Sequence, residues 1–549
     1  MPACDYRLQG RATAEGEDEA LIAEAPLLML SNEEQLQLEL REAFITRARE
    51  LGISEAAMED ALSHDPGIAS RSGAAGEIRV LQWNILADGL ARDGFIVRDV
   101  LSGAADGEFE YEKVVLEMAM VHASGALDKS AAKAEFFSER SKRNLEAVVD
   151  WSLRFSMIMM YTLKAKADII VMQEVDHMLE MQQTLGRMGY ACGEEGKVYV
   201  PAHTAMEGHG AQRDASAFFR HLKSTGVAFV PKTNSNCRKF GLKDRQDADD
   251  DGVAVFWRRD ALELVSLDFL VFDDPKRNQG AVRVTLKRKK DGTDFAVIGA
   301  HLSSGSGNED EKARLKECIA PSLDAKGERR GPSLGEWIDA SAKMAPTIVC
   351  ADTNSSPDTG LVEHQGQTLN TLQALLSCRA GVRSVWPSSL ARDGAPKQCP
   401  APVTENKMRG PHSNQPKKIG EHACALVDQV LYTTETTFVR HANRVLQYRS
   451  EGDARRDLLP TLRHPSDHCA VLCDFVLPIE VNNVWAQNTH TPKHTPLEES
   501  LLLARQQLAD ENRLITLRYV DWSMYVSMSE FHNGMMACAH GALTTVEGE

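Results

Sequence analysis

Six short clusters of amide, carboxylate and imidazole side chains follow one another along the chain. They are Gln82-Trp83-Asn84, Gln173-Glu174-Val175-Asp176, His301-Leu302, Asp352-Thr353-Asn354, Asp428 and Ser466-Asp467-His468. Each closes a short apolar run. Taken singly, a strand-end Asn is a turn residue, a strand-end carboxylate is a solvated group or helix cap, and a lone His is a structural one. Together they supply what cleavage of a phosphoester needs. That is oxygen ligands for a hard cation, a group that orients or deprotonates water, and a donor to the charge that develops on phosphorus.

The elements that would position these groups alternate between strand and helix. Ile78–Trp83, Asp168–Gln173, Val253–Trp257, Leu262–Leu267, Val282–Leu286, Phe295–Ala300, Thr347–Ala351, Ala425–Tyr432 and Ala470–Phe475 read as strands. Their unbroken apolar bodies and polar ends suit sheets buried on both faces. Ser138–Lys166 reads as a long amphipathic helix, and a second helix is expected near Gln367–Leu376. Ahead of this stretch, Asn32–Leu51 and Ser54–Leu62 read as two short helices, with Asn32 and Ser54 as N-caps and Gly52 as the stop between them. Leu36, Leu40, Phe44 and Ala48 fall four apart on one face of the first helix. The pair is expected to be a docking or regulatory element, with a protein partner as one occupant.

The expected organisation is an acidic disordered tail over 1–31, a helical segment over 32–64 and a linker over 65–76. A catalytic domain over 77–477 follows, with insertions near 102–135 and 193–228, and then a C-terminal extension over 478–549 containing a helix at Pro496–Asn512. The net charge of −17 argues against a protein that clamps long nucleic acid, because such affinity comes from neutralising phosphates. Residues 1–76 hold 15 Asp and Glu against 6 Lys and Arg, so more than half of that excess lies outside the catalytic stretch. A short single strand or a small phosphorylated molecule, held by a local basic patch, fits better. Eleven scattered cysteines follow no disulfide framework and no secretory signal opens the chain, so reduced thiols and a cytoplasmic location are expected, with the nucleus as the alternative. Ala25–Leu30 is too short to span a bilayer, and Arg154 and Lys164 bracket the apolar run Met157–Leu163, so no membrane association is expected.

At this level of detail the chain resembles the endonuclease/exonuclease/phosphatase superfamily, and within it the deadenylase-like branch. The runs that carry the resemblance are QWNILADGL (82–90), DIIVMQEVDHM (168–178), FVPKTNSNC (229–237), DGVAVFWRRDALELV (251–265), NQGAVRVTL (278–286), AHLSSG (300–305), VCADTNSSP (349–357), LVDQVLYT (426–433) and HPSDHCAVLCDF (464–475). They cover nearly all of 78–477 in the family's order and leave both termini uncovered. The resemblance implies an α+β fold, a DNase I-like four-layer αββα sandwich, with a small helical N-terminal segment and a C-terminal extension. It implies Mg²⁺, with Mn²⁺ as the alternative, held by Glu174 with Asn84 beside it. Asp352 and Asn354 would position and activate water, and His301 would contact the scissile phosphate. Asp428 would hold the metal site or the substrate end, and Asp467 would orient His468 towards a phosphate oxygen.

The activity so implied is 3′–5′ exoribonuclease action on poly(A), with a single-stranded RNA 3′ end as partner. The alternatives are a 2′-phosphatase acting on NADP(H) or another small phosphorylated nucleotide, and a non-enzymatic binding module, which retention of all six clusters disfavours. Members of the branch carry Phe in place of Thr353, Tyr in place of Gln429, and Lys-Ala in place of Ser303-Ser304. The last difference removes a cation from the pocket edge. Lys232, Arg277 and Arg409 are the candidate phosphate-binding cations, whereas Lys276 and Lys407 read as ordinary surface cations. Asp247–Gly252 imitates the start of an EF-hand loop, but its twelfth position is Arg258, so it reads as an acidic loop entering a strand. Cys469 and Cys473 lie four apart on a strand without partner ligands and read as core.

Overall fold

The strand runs inferred from sequence pair into two mixed sheets stacked face to face. The structure, a computed structural model, describes residues 31–68, 71, 77–91, 94–96, 146–200, 215–232, 251–272, 280–323, 329–364, 366–386, 403–410, 413, 418–433, 438–444, 448 and 451–477. By its contacts the chain divides into Met1–Glu480 and Val481–Glu549. The second unit, with the expected helix Pro496–Asn512, lies outside the described residues, as do the expected insertion at 102–135 and the acidic run Asp247–Asp250.

In the first sheet the strand order is Phe438–Arg444, Val471–Val476, Glu77–Asn84, Ile169–Val175, Gly252–Arg258, with the short strands Tyr190–Ala191 and Phe229–Pro231 both pairing with Gly252–Arg258. In the second it is Val382–Ser384, Asp428–Thr433, Thr347–Asp352, Asp294–His301, Gly280–Arg288, Leu262–Val271. Each sheet has one parallel pair near its centre, Glu77–Asn84 with Ile169–Val175 and Asp294–His301 with Thr347–Asp352. Those four strands therefore end on one rim. Register then sets Asn84 beside Gln173, and Asp352 between His301 and Asp428.

Alternation along each strand builds three apolar layers. Val80, Val171, Val255, Val284, Val297 and Ile348 fill the space between the sheets. The opposite face of the first sheet, with Leu81, Trp83 and Met172, packs under the helices Trp151–Ala165 and Met178–Arg187. The opposite face of the second sheet packs under Asn308–Ile319, Leu334–Ala342 and Thr371–Leu376. This is the expected αββα sandwich. Gly299 sets how closely the sheets approach, because a Cβ there would stand 2.9 Å from Val171 Cγ1 and 3.0 Å from Val253 Cγ1.

Local chemistry moves several boundaries. The first helix, Asn32–Glu50, is capped by Ser31 and not by Asn32, in a reciprocal box with Glu34. Ser54 caps the second, Glu55–Ser63, as expected. The long helix begins only at Trp151, where the Asp150 side chain accepts from Leu153 N–H; residues 138–145 lie outside the described ones. The helix expected over Gln367–Leu376 divides into a strand, Gln367–Leu369, and a helix, Thr371–Leu376, because Asn370 caps at the junction. Within 193–228, Ala215–Thr225 forms a helix, whereas 201–214 lies outside the described residues.

The N-terminal helices do not hold their apolar stripe free for a partner. Leu36, Leu40, Phe44 and Ala48 are buried in the same core layer as Trp151 and Phe155. Arg47 adds two hydrogen bonds to Asp150, at 2.8 and 3.2 Å, and Arg463 reaches Asp60 at 2.7 Å. Phe44→Ala should therefore cost the sandwich about 3–5 kcal/mol, the usual penalty for emptying an aromatic site. Urea unfolding followed by Trp fluorescence measures it. An unshifted midpoint would mean that the pair is only tethered.

Candidate active site

The rim where the parallel strands end gathers all six sequence clusters through direct side-chain bonds, the second of them by Gln82 Nε2 donating to Gln173 Oε1 at 3.1 Å. Asn84 Nδ2 donates to Asp352 Oδ2 at 2.8 Å, and Asn354 N–H donates to Asp352 Oδ1 at 2.9 Å. Asn354 Nδ2 in turn donates to the Leu302 carbonyl at 3.0 Å. His301 Nε2 lies 3.5 Å from Asp352 Oδ2. His468 Nδ1 donates to Asp428 Oδ2 at 2.8 Å, and Gln82 Nε2 donates to Asp428 Oδ1 at 2.8 Å. Glu174, next to Gln173, accepts from Ala87 N–H at 3.2 Å. Its φ is +59°, a conformation uncommon for a residue with a side chain, and it falls where the pairing with Gly252–Arg258 shifts register.

The expected pairing of Asp467 with His468 is not what the structure has. Asp428 holds the imidazole, because register carries it to the rim beside Asp352, and both its oxygens are engaged. Asp467, expected to orient His468, instead forms an ion pair with Lys407. Lys407 is thus no surface cation: its side chain is 12% exposed and also meets Glu405 at 2.8 Å. Strand alternation in Glu405-Asn406-Lys407-Met408-Arg409 could have shown that Glu405, Lys407 and Arg409 share a face. Lys232 pairs with Asp251 at 2.5 Å, and its charge acts on both Glu174 and His301. Arg409 is half-buried, and its charge acts on Asp467 and Lys407. Arg277 lies outside the described residues, as does Lys276.

Burial and charge set the protonation states. Burial raises the Glu174 carboxyl and pushes Asp352 up to about 7. Burial, with Lys232 and His468 nearby, holds His301 well below the ordinary histidine value, so it is neutral. Burial alone would lower His468, but Asp428, Asp467 and Asp352 outweigh it and raise the imidazole well above its usual value. Burial opposes ionisation of Asp467 too, yet Lys407 and His468 hold it down to about 2.

Other residues fix the loops without touching the rim chemistry. Arg154, fully buried, donates through Nη1 to the carbonyls of Ile85, Leu86 and Pro465 at 2.7–3.2 Å, tying the Asn84 loop to the Asp467 loop. Nothing in the sequence distinguished it from a helix-surface cation. Trp83 Nε1 donates to the His468 carbonyl at 2.9 Å, and Ser466 Oγ donates to the Asn84 carbonyl at 2.6 Å. Thr353 Oγ1 turns inward to the Val427 and Ser355 carbonyls at 2.7 Å. Ser303 is also turned inward, its hydroxyl donating to Glu317 at 2.6 Å. Cys469 and Cys473 are buried free thiols in two different core clusters.

His464 stands behind the loop, its Nε2 donating to the His468 carbonyl at 3.0 Å. Burial lowers it from 6.5 to about 4. The folded protein therefore keeps it neutral while the unfolded chain takes the proton, and stability is lost as pH falls from 6.5 towards 4. By pH 5 that loss is about 2 kcal/mol. His464→Gln should remove this component, so its unfolding free energy should change less between pH 7 and pH 5 than that of the parent. Parallel pH slopes in urea titrations would overturn the assignment.

Two groups bring ligand atoms within 4.8 Å of one another, Asp352 with Asp428 and His468, and Glu405 with Asp467 and His468. Asp467 Oδ1 is buried with no hydrogen-bond partner, as is His301 Nδ1. An orphaned carboxylate oxygen beside a second, half-buried carboxylate, Glu174, is a donor set that suits a hard cation.

Comparison with known proteins gives the following. No protein-family model matches the chain. Nocturnin of Drosophila melanogaster is 24% identical over 336 residues, 60% of this chain and 43% of that protein. Nocturnin of Homo sapiens is 26% identical over 331 residues, 59% of this chain and 58% of that protein. The match thus spans about half the length of these relatives. Among solved structures, the human nocturnin catalytic domain with bound sulfate aligns at 20% identity with a TM-score of 0.39, covering 74% of this chain and 96% of that one. ANGEL2, described as a 2′,3′-cyclic phosphatase, aligns at 16% identity with a TM-score of 0.40, covering 74% and 99%. The chain has an αββα sandwich, and its similarity in sequence is to nocturnin.

Proposed function

We propose that the chain is a divalent-metal-dependent phosphoester hydrolase, and within that class a 3′–5′ exoribonuclease that shortens poly(A). The observation that carries the reading is a pair of bonded sets, Asn84 with Asp352 and Gln82 through Asp428 to His468, that strand register places side by side near Glu174. Glu174, Asn84 and the unengaged oxygen of Asp467 would hold Mg²⁺ or Mn²⁺. When bound, such an ion offsets charge on the phosphate and lowers the pKa of water.

The remaining work falls to the chain's own groups. Asp352, oriented by Asn84 and Asn354 and raised to about 7, exchanges a proton with the attacking water near neutral pH. His468, kept protonated by Asp428, donates to a phosphate oxygen as charge builds there. Neutral His301 offers a polar contact to the same group. Lys232 and Arg409 bind flanking phosphates. Adenine bases would be held by stacking and edge contacts, the usual mode for single-stranded RNA.

The second reading is 2′-phosphatase action on NADP(H), favoured by the three cations, Lys232, Lys407 and Arg409, around one small site and by the net charge of −17. Against it, Ser303 stands where branch members carry a lysine, and its hydroxyl is committed to Glu317. A cytoplasmic site of action accompanies either reading. No helix among the described residues is long and apolar enough to cross a membrane.

The test is a paired turnover assay in Mg²⁺ and in EDTA. The substrates are a 3′-hydroxyl oligo(A) RNA and, separately, NADPH, with Glu174→Ala as the blank. Metal-dependent stepwise shortening of the RNA is expected. Phosphate release from NADPH with intact RNA would favour the second reading, and no turnover of either would refute both.

A further inference from the structure

One cluster of carboxylates at the rim already contains a cation supplied by the chain. Glu405, Asp467 and His468 bring ligand atoms within 4.8 Å of one another. Its two carboxylates match what a hard divalent ion takes. Yet the Lys407 ammonium lies among them, 2.8 Å from Glu405 and in an ion pair with Asp467. The arrangement is built into the backbone. Glu405 and Lys407 lie two apart on one strand and so share its face. That strand runs beside the His468 loop through a bridge between Glu405 and His468, with Asn406 N–H donating to the Asp467 carbonyl at 3.0 Å and Cys469 N–H to the Thr404 carbonyl at 2.6 Å. Asn406 Nδ2 is anchored at the Ala454 and Asp457 carbonyls, at 2.8 and 3.0 Å, so the strand is fixed on both sides.

We propose that Lys407 is a resident cation standing where a second divalent ion would sit between Glu405 and Asp467. The inference rests on the metal-dependent hydrolase reading above and refines it. A two-metal site clamps a phosphate between two divalent charges. Here one of the two positions is filled by a covalently attached single charge, which cannot dissociate and needs no ion from solution. One divalent position remains, on the Glu174 side of Asp467. Removing the ammonium leaves the Glu405 and Asp467 carboxylates without the cation that lies between them, with only His468 and Arg409 acting on them from nearby, and that vacancy recruits an ion.

Counting bound Mn²⁺ on the full chain by titration calorimetry, with free Mn²⁺ followed by electron paramagnetic resonance, tests this without any substrate. The intact protein should bind one Mn²⁺. Lys407→Met, with its fold checked by circular dichroism, should bind two, and Lys407→Arg should return to one. Two ions on the intact protein, or equal counts for the intact protein and Lys407→Met, would overturn the proposal. Should Lys407→Met fail to fold, Glu405→Gln decides: its count should stay at one, because Glu405 serves the lysine, and loss of an ion would overturn the assignment. Absence of turnover on RNA and NADPH with these counts intact would refute the substrate readings and leave Lys407 as assigned.

Discussion

Glu174→Ala should abolish metal-dependent turnover while leaving the sandwich folded. Glu174 lies near the end of a buried strand, accepts one backbone hydrogen bond, and feels the favourable charge of Lys232 and His468 as well as the like charge of Asp251 and Asp467. Burial raises its carboxyl, so in the absence of a cation its ionised form weakens the folded state at neutral pH. Removing it takes away that desolvation penalty. In EDTA the variant should therefore melt no lower than the parent, and by linkage above it. In Mg²⁺ the order should reverse, because only the parent gains from binding an ion to its folded state. The left-handed backbone at this position is retained with alanine, so strain changes little. Residual activity within tenfold of the parent, or a parent melting temperature insensitive to Mg²⁺, would remove Glu174 from the metal site. This trade of stability for function is the expected signature of a strained residue at a rim.

His468→Ala should lower kcat by about 10²–10⁴, the range for loss of a positioned acid. The tie to Asp428 makes a finer test possible. Asp428 holds the imidazole through Nδ1 and contributes most to keeping it protonated against burial. A histidine whose folded pKa is raised contributes stability that is present at low pH and lost as pH rises through the raised value. Asp428→Asn should abolish that contribution. The imidazole then titrates nearer its ordinary value, so the activity deficit of Asp428→Asn should widen as pH rises above about 6.5. Asp467→Asn should not show this widening to the same degree, because Asp467 spends its charge on Lys407. If Asp467→Asn and not Asp428→Asn reproduced the pH signature of a freed histidine, the assignment of the pair would be reversed.

Much of the architecture was legible from residue order. Unbroken apolar runs such as Ile169–Met172 and Ile348–Ala351 can be satisfied only by strands covered on both faces, and their polar terminal residues can only collect where parallel strands end together. Asn84, Glu174, His301 and Asp352 lie at one rim for that reason, while the roles expected of them came from the resemblance. Helix caps were read to within a residue, as with Ser31 in place of Asn32, because capping depends on neighbours a few positions away.

What the sequence could not determine is which charged groups pair across elements distant in the chain. Asp467 precedes His468, and adjacency suggested a pair. The two side chains do lie close together, but the register of Asp428–Thr433 with Thr347–Asp352 delivers a carboxylate from 40 positions away that takes the imidazole Nδ1, while Lys407 takes Asp467. Lys407 looked like a surface cation for the same reason, since its partner is 60 positions distant. Arg154 could not be told from its helix neighbours until the Asn84 and Asp467 loops closed over it. Local pattern and strand order determined the fold and the chemical types at the rim. Only tertiary packing, which sets burial and distance between remote carboxylates, imidazoles and ammonium groups, decided who bonds to whom and which of them carry charge.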